Sequence, residues 1–274
     1  MSRQLALDSI NGRPTERIPH WEYISHPDLV EHVTRIDPYE HPQKSELRML
    51  ELLPNDVSGI RLSDEPIPRR YANGERTRVD EDGRVRPRWG TGDSWPWDYG
   101  AEFGSVEEVL AYRPLEENLV GEDIDQLAAD YQRGLDAQRA VLGERALAYG
   151  GFYRTLFMWP MMTFGWELFI EAAFTQPDRF KPILDDFAEL SMRVMRGWAK
   201  TDVELFTSHD DLCITRGAAF SPEWYRRNIY PWYEREWDVL HGNGCKIVFI
   251  SDGNMDEVVD DVFACGADGA FFEI

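Results

Sequence analysis

Apolar residues Ile247, Val248, Phe249 and Ile250 run without alternation and stop at Ser251-Asp252-Gly253-Asn254. A mostly β-branched run of this kind predicts a strand buried on both faces, as in a parallel sheet. Ser-Asp-Gly-Asn predicts a polar turn at its tip. A helical segment over residues 255–265 follows, then a second short apolar run over 269–273 that ends on Glu273. The preceding stretch repeats the plan, with a strand over 203–206 and Thr207-Ser208-His209-Asp210-Asp211 at its end. Strand, polar tip, helix, strand is the unit of a parallel α/β sheet or barrel. Ligands in such folds bind at the carboxyl ends of strands. The pattern therefore predicts Asp211, Asp252 and Glu273 on one rim.

The rest of the chain extends this reading. Helices are predicted over 1–12, from Pro27 to 35, over 46–53 and over 123–142, the last closed by Gly143. Strands are predicted over 19–23, 56–62 and 146–150, with Ser63-Asp64-Glu65-Pro66 as a polar tip and Gly150-Gly151 as a turn. Asn73-Gly74 and Asp82-Gly83 are hairpin signals, so residues 69–90 read as a small antiparallel insertion. Residues 93–104 read as an aromatic-rich loop, Ser105 as a helix cap and Pro114 as the end of that segment. Helices over 165–175 and 177–199 follow, then a helix opened by Ser221-Pro222-Glu223 and broken or kinked at Pro231. The core strands are 19–23, 56–62, 146–150, 203–208, 247–250 and 269–273, fewer than a closed (β/α)8 barrel uses. Either the sheet is a smaller open one or the last units are missing. No repeat or inter-domain linker divides residues 1–274, which read as a single domain.

Composition narrows the function classes. The chain of 274 residues is 43% hydrophobic, enough for a substantial core. Its net charge of −21 argues against nucleic acid as a partner, since phosphate binding needs a basic surface. Lys44, Lys181, Lys200 and Lys246 are the only lysines among 29 basic residues. Three cysteines, Cys213, Cys245 and Cys265, without C-x-x-C spacing read as buried packing residues and not as a disulfide framework or zinc ribbon. There is no membrane-length apolar run and no signal-like start, so the expected setting is the cytoplasm.

Each candidate has a chemical and a structural reading. Asp211 and Asp252 suit general acid–base work or orientation of a substrate, and equally helix capping or turn formation. Asp210 reads as a solvent-facing or capping residue. His209 relays protons, ligates a metal or sits as a hydrogen-bonded core histidine. Arg154 pairs with a substrate carboxylate or lays its stem on aromatic rings. Phe152 and Trp159 belong to a Met- and aromatic-rich stretch that walls a pocket for a flat ligand or packs as core and lid. Asn254 caps the next helix or touches ligand, and Glu273 contacts substrate.

Several short motifs resemble the uroporphyrinogen decarboxylase superfamily, which includes the corrinoid methyltransferases. They are Gly12 with Arg17-Ile18-Pro19, Phe164-Gly165-Trp166-Glu167 with Pro177, and Asp210-Asp211 with Ser221-Pro222-Glu223 and Tyr230-Pro231. Ser251-Asp252-Gly253-Asn254 followed by Gly266-Ala267-Asp268-Gly269 and Glu273 completes the series. The resemblance implies a TIM-type (β/α) barrel that lacks its last one or two β/α units. The unpaired outer edge of the sixth strand then predicts either closure by other segments or a homodimer that covers the gap. The resemblance also implies methyl-group transfer with a corrinoid carried by a partner protein and no directly bound cofactor. Decarboxylation of tetrapyrrole carboxylates is the alternative within the family, and a non-catalytic barrel that binds a small molecule is the alternative outside it. The Arg-Gln-Ala-Gly-Arg motif of the family's decarboxylases is replaced by Trp21-Glu22-Tyr23-Ile24-Ser25-His26, which favours the methyltransferase branch. Ser63-Asp64 matches the decarboxylases' aspartate context, making Asp64 a substrate-binding candidate. Ile250 and Asp252 stand where zinc methyltransferases carry His-x-Cys, so no recognisable metal site is left and no structural or catalytic zinc is expected at that tip.

Overall fold

The computed structural model describes residues 2–53, 55–71, 75–79, 81, 85–93 and 103–273, apart from the side chains of Asp93 and Glu273. The Asn73-Gly74 and Asp82-Gly83 turns and most of the 93–104 loop lie outside the described residues. In chain order the elements are helices α1 (Ser2–Ile10), α2 (Pro27–Thr34) and α3 (Pro42–Leu52), strands β1 (Thr77–Val79), β2 (Val85–Trp89) and β3 (Gly92–Asp93), and helices α4 (Val106–Ala111), α5 (Pro114–Glu117) and α6 (Ile124–Leu142). Next come β4 (Gly150–Phe152), α7 (Met158–Phe164), α8 (Trp166–Thr175), α9 (Pro177–Trp198), β5 (Leu205–His209), β6 (Cys213–Ile214) and β7 (Gly217–Ala218). The last are α10 (Pro222–Asn228), α11 (Tyr230–His241), β8 (Lys246–Asp252), α12 (Val259–Ala264) and β9 (Gly269–Glu273). None of the described helices is long and apolar enough to cross a membrane.

The chain divides into two compact units. One comprises residues 1–98 and 134–149, the other 99–133 and 150–274, with a boundary inside α6.

In the first unit β1, β2 and β3 form the expected antiparallel insertion. The strands expected over 19–23 and 56–62 are not ladders. Val57 makes an isolated parallel bridge with Leu147, and Asp56 N–H donates to the His20 carbonyl. Side chains take the remaining backbone groups, as Asn and Asp readily do. The Asp56 carboxylate accepts from His20 N and, at 2.7 Å each, from both Arg17 terminal nitrogens. The Asn55 amide accepts from Glu22 N and donates to the Glu22 carbonyl. Helix α3 begins earlier than residue 46. Pro42 sits in its first turn, and the Asp64 carboxylate accepts from Lys44 N at 3.0 Å, serving as an outside cap.

In the second unit β4, β5, β8 and β9 form a parallel sheet in that order, so β4 and β9 are its edge strands among the described residues. The predicted strand over 146–150 is shifted to 150–152. Gly150 and Gly151 therefore lie within a strand and do not turn the chain. They are needed for close approach, since a Cβ would fall 2.7 Å from the Trp198 ring at Gly150 and 2.2 Å from Thr207 Oγ1 at Gly151. Ser221 caps α10 by accepting from Trp224 N, and Ser105 caps α4 by accepting from Glu108 N. Pro114 opens α5 where a break was expected, because proline fits a first helical turn. Pro231 likewise sits in the first turn of α11. The helix expected over 255–265 is shortened to α12, since residues 255–258 form a turn closed by Val258 N and the Met255 carbonyl. The three cysteines are buried and reduced, as expected.

Helix α7 lies within the Met- and aromatic-rich stretch and is not among the helices that the sequence predicts. Its side chains are nearly all buried, and Phe157 just before it packs edge-to-face on Phe169, Phe220 and Tyr225. Hairpin β6–β7 was also unforeseen. It packs against the tip of β8 at Gly253, whose φ is +86° and whose Cβ would lie 2.8 Å from the Ile214 backbone. Gly253→Ala is therefore expected to cost roughly 1–3 kcal/mol through strain and clash. Chemical denaturation of the variant checks this.

Candidate functional site

The rim is built by adjacent parallel strands. His209 pairs with Ile250 across β5 and β8, and Asp210 N–H donates to the Ile250 carbonyl, so the two tips leave the sheet together. Leu212 N–H donates to Ser251 Oγ at 3.2 Å, and Asp252 N–H donates to Asp211 Oδ1 at 3.0 Å. Asp211 and Asp252, distant in sequence, are thereby locked together.

Asp210 and Asp211 have opposite roles. Asp210 is fully buried, and its carboxylate accepts from Leu156 N, Phe157 N, Met158 N and the Tyr233 hydroxyl at 2.6–2.8 Å. It caps the start of α7 from a different strand. Burial pushes its pKa up to about 6, against the four donors that favour the ionised form. A solvent-facing Asp210 is thus excluded, whereas the capping reading describes what it does.

Asp211 turns the other way. Its Oδ1 also meets His209 Nε2 at 3.1 Å, while its Oδ2 is buried and has no hydrogen-bond partner among the described residues. The His209 and Asp211 side chains are 16% and 8% exposed, so the pair is shielded but reachable. The His209 ring lies 4.4 Å from the Tyr153 ring. The metal-binding atoms that His209, Asp211 and Asp252 would each offer lie within 4.8 Å of one another, so the three could hold an ion. Asp252 also lines a cleft of about 670 Å³ with Thr215, Asn254, Met255 and Phe272.

Other sequence candidates fall around this rim or apart from it. Glu273 pairs with Asp252 through the β8–β9 register, and its side chain lies outside the described residues. Asn254 lines the cleft, but its Oδ1 accepts from Asp256 N at 2.9 Å and shapes the turn. Half-buried Arg154 stacks its guanidinium 5.0 Å from the Trp159 ring centre and makes no ion pair among the described residues. Burial holds its pKa below the usual arginine value. Trp159 is buried and packs against Phe152 and Phe187, so it supports Arg154 from within the core. Asp64 belongs to the other unit, where it meets the His41 ring and caps α3. That unit has its own cavity of about 360 Å³, lined among others by Trp21, Tyr23, Glu46, Arg61 and Tyr149, and no candidate catalytic residue lines it.

No family model and no curated protein sequence matches the chain. Among solved structures, a methyltransferase from Methanosarcina mazei is similar to it. The TM-score is 0.61 at 15% identity, and the match covers 98% of this chain and 75% of that one. At this identity the likeness concerns the fold. What the structure shows of that fold is a four-stranded parallel sheet combined with helices.

Proposed function

We propose that the chain is an enzyme of methyl-group transfer, acting as the methyltransferases of the uroporphyrinogen decarboxylase superfamily do, with a corrinoid on a partner protein as methyl carrier. The observation that carries this reading is the meeting of His209, Asp211 and Asp252 at adjacent strand tips, in a fold similar to that of a methyltransferase. Strand tips are where parallel α/β folds place their chemistry.

In the transfer the methyl group leaves its donor without the bonding electron pair, which the donor keeps. A new bond forms between that carbon and an acceptor heteroatom, which loses a proton. In this reading His209 takes that proton. In the tautomer that carries the proton on Nε2, that N–H donates to Asp211, Nδ1 is the basic nitrogen, and the Asp211 carboxylate stabilises the imidazolium that forms. Asp252 faces the cleft and orients the acceptor. Arg154 supplies a guanidinium for an anionic group on the substrate. No observation at the rim favours tetrapyrrole decarboxylation.

The test is anaerobic incubation with isotopically labelled methylcob(III)alamin and a simple alkanethiol. Labelled thioether forming above the buffer rate supports the proposal. Labelled thioether no faster than in buffer overturns it.

A further inference from the structure

The structure assigns a divalent-cation site to the rim of the parallel sheet, formed by His209 and Asp211 beside β5 and by Asp252 at the end of β8. The assignment rests on that rim being the functional site. Its donors are one imidazole nitrogen and two carboxylate oxygens, gathered within 4.8 Å. The observation that points to a ligand is Asp211 Oδ2. This oxygen is buried, belongs to a side chain only 8% exposed, and has no hydrogen-bond partner among the described residues. A buried carboxylate oxygen without a partner is costly, and a bound cation satisfies it. Asp211 forms no ion pair with lysine or arginine among the described residues, so protein cations leave that charge unanswered.

These are not the His-x-Cys donors of the zinc methyltransferases. Asp252 occupies one position of that pair, and Ile250 occupies the other. His209 and Asp211 come from the neighbouring strand, so the donor set is not visible in the spacing around Asp252 alone. Two carboxylates and an imidazole, with no thiolate, suit an oxygen-preferring to borderline cation such as Mn²⁺. Three protein donors leave coordination positions for a substrate heteroatom from the cleft that Asp252 lines. A heteroatom bound there loses its proton more readily, so the cation would take over from His209 the activation of the acceptor.

The experiment uses the full chain, freed of metal by a chelator and titrated with Mn²⁺ alone. Electron paramagnetic resonance follows free Mn²⁺ in 0.5 M salt, which screens the chain's acidic surface. One site per chain is expected, and Asp211→Asn and Asp252→Asn should each weaken it by roughly 100-fold or more, beyond the loss typical of a supporting group. Several weak sites unchanged in both variants would be adventitious binding to acidic surface and would overturn the assignment. If either variant fails to fold, the wild-type chain still decides. Substoichiometric Mn²⁺ should broaden the NMR signals of one of the six histidines, identified as His209 by their loss in His209→Gln. Broadening elsewhere, or none, overturns the site. Mn²⁺ binding without methyl transfer would overturn the proposed activity and keep the site, whereas chelator-resistant methyl transfer without Mn²⁺ binding would do the reverse.

Discussion

Asp210→Ala is expected to lower unfolding free energy by about 3–5 kcal/mol, the scale for removing one partner of a buried charged network. The loss follows from the donors left behind. Three consecutive backbone N–H groups at the start of α7 and the Tyr233 hydroxyl all end on this carboxylate. Each orphaned buried donor costs roughly 1–3 kcal/mol, and the costs are not additive. Water does not reach them, since Leu156, Phe157, Met158 and Tyr233 are all buried. Asp210→Asn should lose less, because its amide oxygen still accepts, but its NH₂ must face donors. The damage also reaches the rim, since Asp210 adjoins Asp211 and its own N–H bonds to β8. Urea denaturation at neutral pH checks the ranking Ala, then Asn, then wild type. A loss below about 1 kcal/mol in Asp210→Ala, less than one such donor typically costs, would mean that α7 does not depend on this cap.

Glu236→Gln is expected to stabilise the protein increasingly as pH rises. Glu236 lies on the buried face of α11 beside the Ser191 hydroxyl, and neither carboxyl oxygen has a hydrogen-bond partner of ordinary geometry among the described residues. Burial drives its pKa well above the usual carboxylate range, and the nearby Asp210 charge pushes the same way, against the Ser191 hydroxyl and Arg235. The folded state therefore keeps the proton longer than the unfolded chain does. A raised folded pKa gives stability that is complete below the unfolded value of about 4.3. Above it, stability falls by about 1.4 kcal/mol per pH unit until the folded pKa is passed. Asp210, pushed up to about 6 by burial, acts with the same sign over a narrower window. Glutamine keeps the shape and has no proton to lose. Urea midpoints measured from about pH 4.5 to 7.5 should diverge, with the variant's advantage growing upward. Parallel curves would contradict a buried, protonated Glu236.

What the sequence discloses depends on how local the cause is. Strands β5, β8 and β9 are legible because each is an apolar run closed by turn or polar residues, and Ser105 and Ser221 are legible caps because they act within their own helices. Helix α7 is hidden because its cap, Asp210, arrives from far along the chain. The stretches 19–23 and 56–62 look like strands, but the Asn55 and Asp56 side chains take ladder positions that only the folded arrangement reveals. Asp210 and Asp211 are chemically identical neighbours in sequence. One turns into the core and the other to the rim, and nothing in the dipeptide says which. Asp211 and Asp252 could be placed at strand tips from the pattern alone. Their hydrogen bond could not, because it follows from the register of β5 against β8.

The central claim is that the rim formed by His209, Asp211 and Asp252 carries out the chemistry. The most direct measurement is labelled methyl transfer from methylcob(III)alamin to a thiol by Asp252→Asn and Asp211→Asn beside wild type, with thermal unfolding of the same samples. Turnover is expected to fall by ~100-fold or more in each variant, the usual scale for a positioned acid or base. The melting temperature should shift far less than in Asp210→Ala. Wild-type turnover in both variants, with stability lowered by about the 1 kcal/mol of a lost cap, would make these carboxylates structural and contradict the account.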